Sequence, residues 1–427
     1  MLDGISEQQV PKSSHPGWTY STFLLLGVTM VFPWNSLVTA LDYFIVKLPC
    51  HDVDFLVSIL SNGPLFVTSI LTILFGYCFS DRKVILISMI AMTLLTVTLP
   101  LFPQLLNNPE SSWICVSVTI LILSAANGIM QLCCFGLAGA TPGNYTATLN
   151  TGSGVSGVSI SIVRAVSLII FPTNGNSEDT NYFYGSLLYF GLGAISLVSS
   201  GILLKFSSVP YCDIRSKTLQ EGICADSRIK SGIMVQNQDL HERMIATEED
   251  EEECYSLQYF MRIHNSLLLT GYGNCIVFIQ TMMIFPGVLL KGGIGFINSI
   301  AWQVWIITTL FNLTDTLSRA TSERYMILTE KTTFVATMCR WALIIASFLS
   351  AFRIPFFHND AVKILNICLI GLTNGYISNC QLTIGVNKAK NSDRRITSKF
   401  LCIFYVFGVL LGSIIASFGI VHLFEDS

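Results

Sequence analysis

The sequence predicts an all-α integral membrane protein of eleven transmembrane helices, divided six and five between two bundles, and three observations predict it. First, only 12% of the 427 residues are charged, 52% are apolar, and the mean hydropathy is +0.60. A soluble chain carries about 25% charged residues, so this one has too little polar surface to cover a water-soluble globule. Second, apolar runs of about 20 residues, the length that crosses a bilayer, recur along the chain. Third, a single long polar stretch separates six of these runs from five. The same composition argues against a soluble enzyme. With a net charge of −3 and no basic patch it also excludes a nucleic-acid binder.

Span one is residues 18–40. The preceding residues 1–17 read as a polar cytoplasmic tail, without the short apolar core and small-residue cleavage site of a signal peptide. Pro33 removes a backbone donor inside the span and predicts a kink. Spans two and three, residues 55–79 and 84–105, flank a short turn with Arg82 and Lys83. Span four, 113–140, carries Asn127 and Gln131 four residues apart, on one face. Span five, 149–171, begins on a Gly/Ser run at 152–157 that permits close helix approach. That run lacks the Lys-Ser/Thr of a P-loop, so it is a poor phosphate site. Span six, 182–206, completes the first bundle, residues 18–206.

Residues 207–257 form a polar connector ending in an acidic run at 248–253. Like charges repel, so this stretch reads as a disordered cytoplasmic linker, with a regulatory tail as the sharper alternative. Spans seven to eleven, residues 267–290, 295–317, 334–352, 362–386 and 400–424, make the second bundle, 258–427. Two bundles on a long connector suit a transporter whose halves rock about a central site.

Most of the 24 Lys and Arg fall on the side of the N-terminus; the opposite side holds only Lys47, Lys291, Arg353 and Lys363. The positive-inside rule then places the N-terminus in the cytoplasm and the C-terminus outside, and the plasma membrane is the expected location. The sequons at Asn144 and Asn312 fall in a cytoplasmic turn and inside a span, where glycosylation is not expected. The 13 cysteines lie mostly in apolar runs without CxxC or zinc spacing. They read as small buried apolar residues, and no disulfide framework is expected.

Function is written in charges that apolar spans should exclude. A carboxylate at a helix centre costs about 2.5–3.5 kcal/mol on insertion scales, and by these span edges Asp315 is the one acid well inside the membrane. Arg319 follows one turn later, and Asn312 shares the stripe. The pair either neutralises itself to hold the bundle or presents a carboxylate and a guanidinium to a polar ligand. Arg164 in span five has no acid in its own helix and is a candidate partner for Asp315 or for a ligand. Trp34 and Asn35 follow Pro33, placing an aromatic ring and an amide beside the expected kink. Trp34 taken alone reads more readily as a packing or lipid contact. No convergent nucleophile, base or metal set is visible, so no catalytic residue, metal or cofactor is assigned.

These motifs resemble the equilibrative nucleoside transporters. Pro33-Trp34-Asn35 with Tyr43-Phe44 is similar to that family's first-helix signature. Asn127-Gly128, Gln131, Phe135–Gly139, Pro142 and Tyr145-Thr146 follow its fourth helix and next turn, and the Gly152–Gly157 run its fifth. Phe285-Pro286-Gly287 resembles its seventh helix, and Phe311-Asn312, Asp315 and Arg319 its eighth. Gly371–Tyr376 resembles its tenth, and Gly408 with Gly412-Ser413 its last. The resemblance implies a major-facilitator-like fold and passive transport of nucleosides or nucleobases by alternating access; the monomer is the expected working unit. Carried onto this chain, Trp34 and Asn35 line the cavity and Gln131 contacts the base. Asp315 and Arg319 contact ribose hydroxyls or hold a gate. Ser318 departs from the glycine common before the eighth-helix arginine; Arg394-Arg395 stands where many members place an acidic residue, and Lys399 intrudes at the start of span eleven. Arg164 resembles a feature of protozoal members. A proton-coupled nucleoside or nucleobase symporter is the first alternative, with Asp315 titrating; an ion channel or pore is a remote one.

Overall fold

The structure, a computed structural model, describes residues 16–48, 53–75, 80–106, 108–172, 181–207, 257–297 and 299–420. Its regular secondary structure, among the described residues, is all helical. The first half contains α1 (Pro16–Thr39), the short α2 (Leu41–Lys47), α3 (Val53–Phe75) and α4 (Asp81–Thr98). A 3₁₀ turn then leads to α5 (Phe102–Leu105), followed by α6 (Pro109–Ala140), α7 (Tyr145–Ile170) and α8 (Asn181–Phe206). The second half contains α9 (Leu257–Ser266), α10 (Leu268–Ile284), α11 (Gly287–Gly292) and α12 (Ile300–Arg324). It continues with α13 (Glu330–Cys339), α14 (Trp341–Ala351), α15 (Asp360–Lys388) and α16 (Arg394–Ile414), which ends in a π-helical turn, Ile415–Ile420. The amphipathic α9 belongs to a separate compact unit, residues 211–268; the membrane helices belong to the larger one. The linker, the N-terminal tail up to residue 15 and the tails of spans two and eleven lie outside the described residues.

Ten of the described helical segments are long and apolar enough to cross a membrane. Their outer faces carry the apolar stripes that lipid requires: on α4, Ile87, Ile90 and Leu94 are each about two-thirds exposed. The expected eighth span is the exception. It forms a 25-residue helix, α12, about 37 Å long, but is too polar to be counted on hydropathy. It also starts later and runs further than residues 295–317. Gly293 adopts a left-handed φ of +57°, and the Gly295 amide is held by the Asp360 carboxylate at 3.0 Å, so the chain turns at residues 293–297, before the helix begins. Because α12 continues to Arg324, Arg319 is not at a helix edge and does not snorkel; it is 5% exposed. Other edges are sharper than expected too. α1 runs unbroken through Pro33 and stops at Ala40; span seven breaks at Phe285-Pro286; span nine changes helix at Arg340.

Ties at each end fix the directions of spans in the first half. Arg82, at the start of α4, donates to the Leu204 and Lys205 carbonyls at the end of α8. The Tyr43 hydroxyl donates to the Pro100 carbonyl at 2.8 Å. We call the end that holds Pro16 the near end and the other the far end. Each half has its own hydrophobic core toward the far end. The first gathers Phe32, Tyr43, Phe44, Ile120, Tyr189 and Phe190. The second gathers Ile284, Val288, Ile307, Phe311, Ile344 and Ile367. α1 and α7 cross so closely that a Cβ on Gly27 or Gly152 would strike the other helix's backbone.

The halves meet at the near end through polar groups. Asp81 accepts from Arg395 Nε at 2.8 Å and Lys399 Nζ at 2.9 Å, with Asp81 and Lys399 buried and Arg395 partly so. Ser398 donates to the Phe135 carbonyl at 2.6 Å. The Glu323 carboxylate accepts from Thr148 at 2.6 Å and Thr151 at 3.2 Å. Asp315 is therefore not the lone buried acid that the span edges suggested; Asp81 is the first residue of α4, not part of an exposed turn.

Candidate functional site

The polar face of α12 organises the site. One helical turn places Arg319 beside Asp315, and Arg319 Nε donates to Asp315 Oδ2 at 2.8 Å and Nη2 to Oδ1 at 3.3 Å. Both side chains are almost fully buried. Asn374 of α15 adds Nδ2 to Asp315 Oδ1 at 2.7 Å. A carboxylate has about four lone-pair positions; three donors leave one for a ligand. Ser318, where a glycine was the pattern, donates to the Asp315 carbonyl and packs against Gly375.

The rest of the stripe turns to α7. Arg319 Nη1 donates to the Asn150 carbonyl at 3.0 Å, to the Asn150 side-chain oxygen and to Ser153 Oγ at 2.9 Å. Asn312 Nδ2 donates to the Gly157 carbonyl and to Ser161 Oγ, both at 3.1 Å. Trp305 Nε1 donates to the Ser161 carbonyl at 2.8 Å, higher on the same seam. Asn150 and Asn379 bridge α7 to α15 at 3.2 Å. Asn312 and Arg319 thus join α12 to α7, while Asp315 faces α15.

Four amides stand apart because they carry buried polar atoms unanswered among the described residues: Asn127 Oδ1 and Gln131 Oε1 on α6, both Oδ1 and Nδ2 of Asn274 on α10, and Gln381 Oε1 on α15. Leaving such a group unmade costs about 1–3 kcal/mol, so each is a natural contact for a ligand or a bound water. Gln131 sits beside the Tyr405 hydroxyl of α16, which also lies within the field of Arg319 and Asp315. Tyr405 meets Phe278 edge-on, ring centroids 4.4 Å apart. Phe278 lies one turn from Asn274 on α10. Amides from both halves and an aromatic pair therefore share a region with the Asp315 carboxylate.

The first-helix residues are placed differently from one another. Asn35 Nδ2 donates to Ser156 Oγ on α7 at 3.0 Å. Trp34 is half-buried against the first hydrophobic core. Arg164 is not a partner of Asp315. It pairs with Asp42 of α2 at 2.8 Å and donates to the Tyr189 hydroxyl at 2.9 Å. The reason is axial distance. α12 contacts α7 around Ser153 and Gly157 at the level of Asp315, and Arg164 lies roughly 10–17 Å further along α7.

Sequence reasoning passed over Arg340, Asn374 and Thr281 as site residues. Arg340 is the largest fully buried side chain. It donates to Thr281 Oγ1 at 2.7 Å, and Thr281 donates to Asn374 Oδ1 at 2.6 Å. The signal was present, because Arg340 is as anomalous inside an apolar span as Arg319.

With this geometry in place, comparison with known proteins is informative. Residues 117–422 match the family described as nucleoside transporter. Equilibrative nucleotide transporter 1 of Arabidopsis thaliana is 21% identical over 425 residues, 97% of this chain and 89% of that protein. Equilibrative nucleoside transporter 1 of Homo sapiens is 20% identical, over 92% of this chain and 94% of that protein. Among solved structures, the major facilitator superfamily proton:xylose symporter XylE superposes with a TM-score of 0.65 at 12% identity, covering 96% of this chain and 89% of its own. The nucleoside transporter NupG superposes with a TM-score of 0.51 at 15% identity, covering 93% and 90%. At these identities the structural likeness is one of fold, and the fold is that of the major facilitators.

Proposed function

The chain belongs to the nucleoside transporter family, and on that premise we propose that it carries nucleosides, and also nucleobases, across a membrane by facilitated diffusion. The observation that carries this reading is the Asp315–Arg319–Asn374 cluster. It is a buried, hydrogen-bonded carboxylate with one open acceptor position, near unanswered amides and an aromatic pair. A nucleoside offers a flat base with donors and acceptors on its edge and a sugar with hydroxyl groups. Gln131 reads the base, Asp315 accepts from the sugar hydroxyls, and Arg319 holds the carboxylate and joins α12 to α7. Trp34 and Asn35 close the cavity from α1, and Asn312 keeps α12 against α7. A mostly apolar site with a few placed polar groups suits binding weak enough for release.

The two halves act as rocking bundles of six and five spans, with α12 as the eighth of the eleven. Support for α12 comes from its length and its packing between α7 and α15. The near end is cytoplasmic, where Lys and Arg concentrate, and this conformer is the one closed to that side by Asp81, Arg395 and Lys399. Opening then breaks these ties and loads the site from the cytoplasm. The working unit is the monomer, at the plasma membrane, and no chemical conversion of the substrate is involved.

The test is uptake of radiolabelled adenosine, uridine and hypoxanthine in cells lacking nucleoside transport. Saturable, mutually competing uptake that equilibrates and is indifferent to a protonophore is the expected result. Accumulation driven by acid and abolished by the protonophore would establish the symporter instead, and non-saturating conductance a pore.

A further inference from the structure

We propose that Arg340 is a positioning residue for the substrate-binding carboxylate and that it works through Asn374. The proposal rests on the sugar-binding role given to Asp315 above. Arg340 lies where α13 gives way to α14, with its side chain directed inward and 2% of it exposed. Its donors reach Val277 O at 2.8 Å, Gln280 Oε1 at 3.3 Å, Thr281 Oγ1 at 2.7 Å, Ile370 O at 3.3 Å, Asn374 Oδ1 at 3.4 Å and Thr373 Oγ1 at 3.1 Å. All six acceptors are neutral oxygens. Removing a guanidinium from water is costly; among the described residues no carboxylate hydrogen-bonds to this one, and Asp315 acts on it only through its charge, across Asn374. Knitting α10, α14 and α15 together could be left to neutral side chains, so a buried cation here points to a more specific task.

The task follows from the amide of Asn374. Its two ends are chemically opposite, and only the Nδ2 end can donate to Asp315. Arg340 Nη2 and Thr281 Oγ1 both donate to Oδ1. Together they hold the carbonyl away from Asp315 and leave Nδ2 facing Asp315 Oδ1 at 2.7 Å. Arg340 also donates to Thr281 and to the Val277 carbonyl, so the single hydroxyl proton of Thr281, which has Val277 O at 2.9 Å and Asn374 Oδ1 at 2.6 Å within reach, goes to the nearer Asn374 oxygen. The planar fork of arginine suits this task, because it reaches both residues from one rigid group. If the amide were free to turn, its oxygen would oppose the carboxylate and displace it from the sugar.

The experiment compares uptake of uridine with that of 2′,3′-dideoxyuridine, which lacks the hydroxyls that Asp315 would bind. Surface abundance is measured in parallel. Arg340→Gln and Asn374→Ala should each raise the KM for uridine about tenfold, the cost of one charge-assisted hydrogen bond, with dideoxyuridine changed less than about twofold. In the Asn374→Ala background, Arg340→Gln should leave the ratio of the two substrates unchanged. Arg340→Lys, a cation without the fork, should give an intermediate ratio. Proportional loss for both substrates, or effects that multiply, would overturn the positioning role. If Arg340→Gln fails to reach the membrane, Thr281→Val and Arg340→Lys carry the same test, and a wild-type ratio in both overturns it. Asp315→Asn separates the two levels: an unchanged ratio there refutes the sugar-binding reading as well. A ratio lost with Asp315→Asn but kept in the Arg340 variants refutes the positioning role alone.

Discussion

Asp81 and Lys399, 318 residues apart in sequence, meet at 2.9 Å in a buried ion pair that joins the first half of the chain to the second. Arg395 completes the cluster from one turn before Lys399. Truncating one partner of a buried pair leaves an uncompensated charge, at a cost of about 3–5 kcal/mol. That cost falls on the conformer in which the near end is closed. Asp81→Asn should therefore shift the protein toward the near-open state. The expected outcome is faster labelling of a cysteine introduced at Ala138, in a cysteine-depleted background, by a reagent applied to the cytoplasmic face. Uptake should fall at least about tenfold at unchanged surface abundance. The exchange Asp81→Lys with Lys399→Asp should recover part of both.

Asp315→Asn separates a ligand role from a scaffold role. The amide keeps the shape of the carboxylate but turns one acceptor oxygen into a donor, which faces either Arg319 or Asn374. Loss of charge-assisted bonds worth about 1.5–3 kcal/mol each predicts at least a tenfold fall in nucleoside uptake. If the carboxylate serves the ligand, a tagged variant still reaches the surface in near-normal amount; if it only holds the bundle, uptake and surface signal fall together. Arg319→Lys should also be severe. Its ammonium lacks the fork that spans Asp315, Asn150 and Ser153.

The membrane helices were legible because hydropathy reports directly on lipid contact, and their order was legible because the polar connector interrupts it. The eighth helix was the least legible by that measure and the most by another. The polar groups that lower its hydropathy, Asn312, Asp315 and Arg319, are the ones that mark the site. What the sequence did not reveal is which charges meet. Arg164 and Asp315 were candidate partners because both are buried and of opposite sign, but position along α7 separates them, and one-dimensional spacing gives no level within another helix. Asp42 and Asp81 lie just beyond the expected span edges, so they read as loop acids, whereas each is the counter-ion of a cation from a distant segment. Arg340 carried a visible signal, but its partners Thr281 and Asn374 are ordinary polar residues until the fold brings them together.

Unanswered amides predict opposite changes in stability and affinity. Asn274→Leu removes a buried amide whose two polar atoms both lack a partner among the described residues, relieving a cost of about 1–3 kcal/mol, whereas Gln131→Leu removes an unanswered oxygen together with the hydrogen bond to the Tyr405 hydroxyl. Asn274→Leu should melt at a higher temperature than the wild type in detergent, and Gln131→Leu should change little. Both should also bind adenosine more weakly, by about tenfold if the amide contacts the base. A variant that melts lower, with unchanged affinity, would show that the amide has a structural partner such as a bound water.

The Asp42–Arg164 pair should behave as scaffold and not as site. Asp42 is one-third exposed, and Arg164 has a second acceptor in the Tyr189 hydroxyl, which in turn donates to Ser167 at 2.9 Å. Screening by water on the Asp42 side lowers the value of the pair toward that of a surface bridge, while Arg164 remains largely buried. Asp42→Asn should therefore reduce thermal stability only slightly. Arg164→Ala should reduce it by about 1–3 kcal/mol, because the Tyr189 hydroxyl and Asp42 each lose a charged donor. A double-mutant cycle on melting in detergent measures the coupling, expected at about 1 kcal/mol. Because neither residue reaches Asp315, the ratio of uridine to 2′,3′-dideoxyuridine uptake should stay at the wild-type value in both variants. A changed ratio would mean that the far end of α7 communicates with the sugar site.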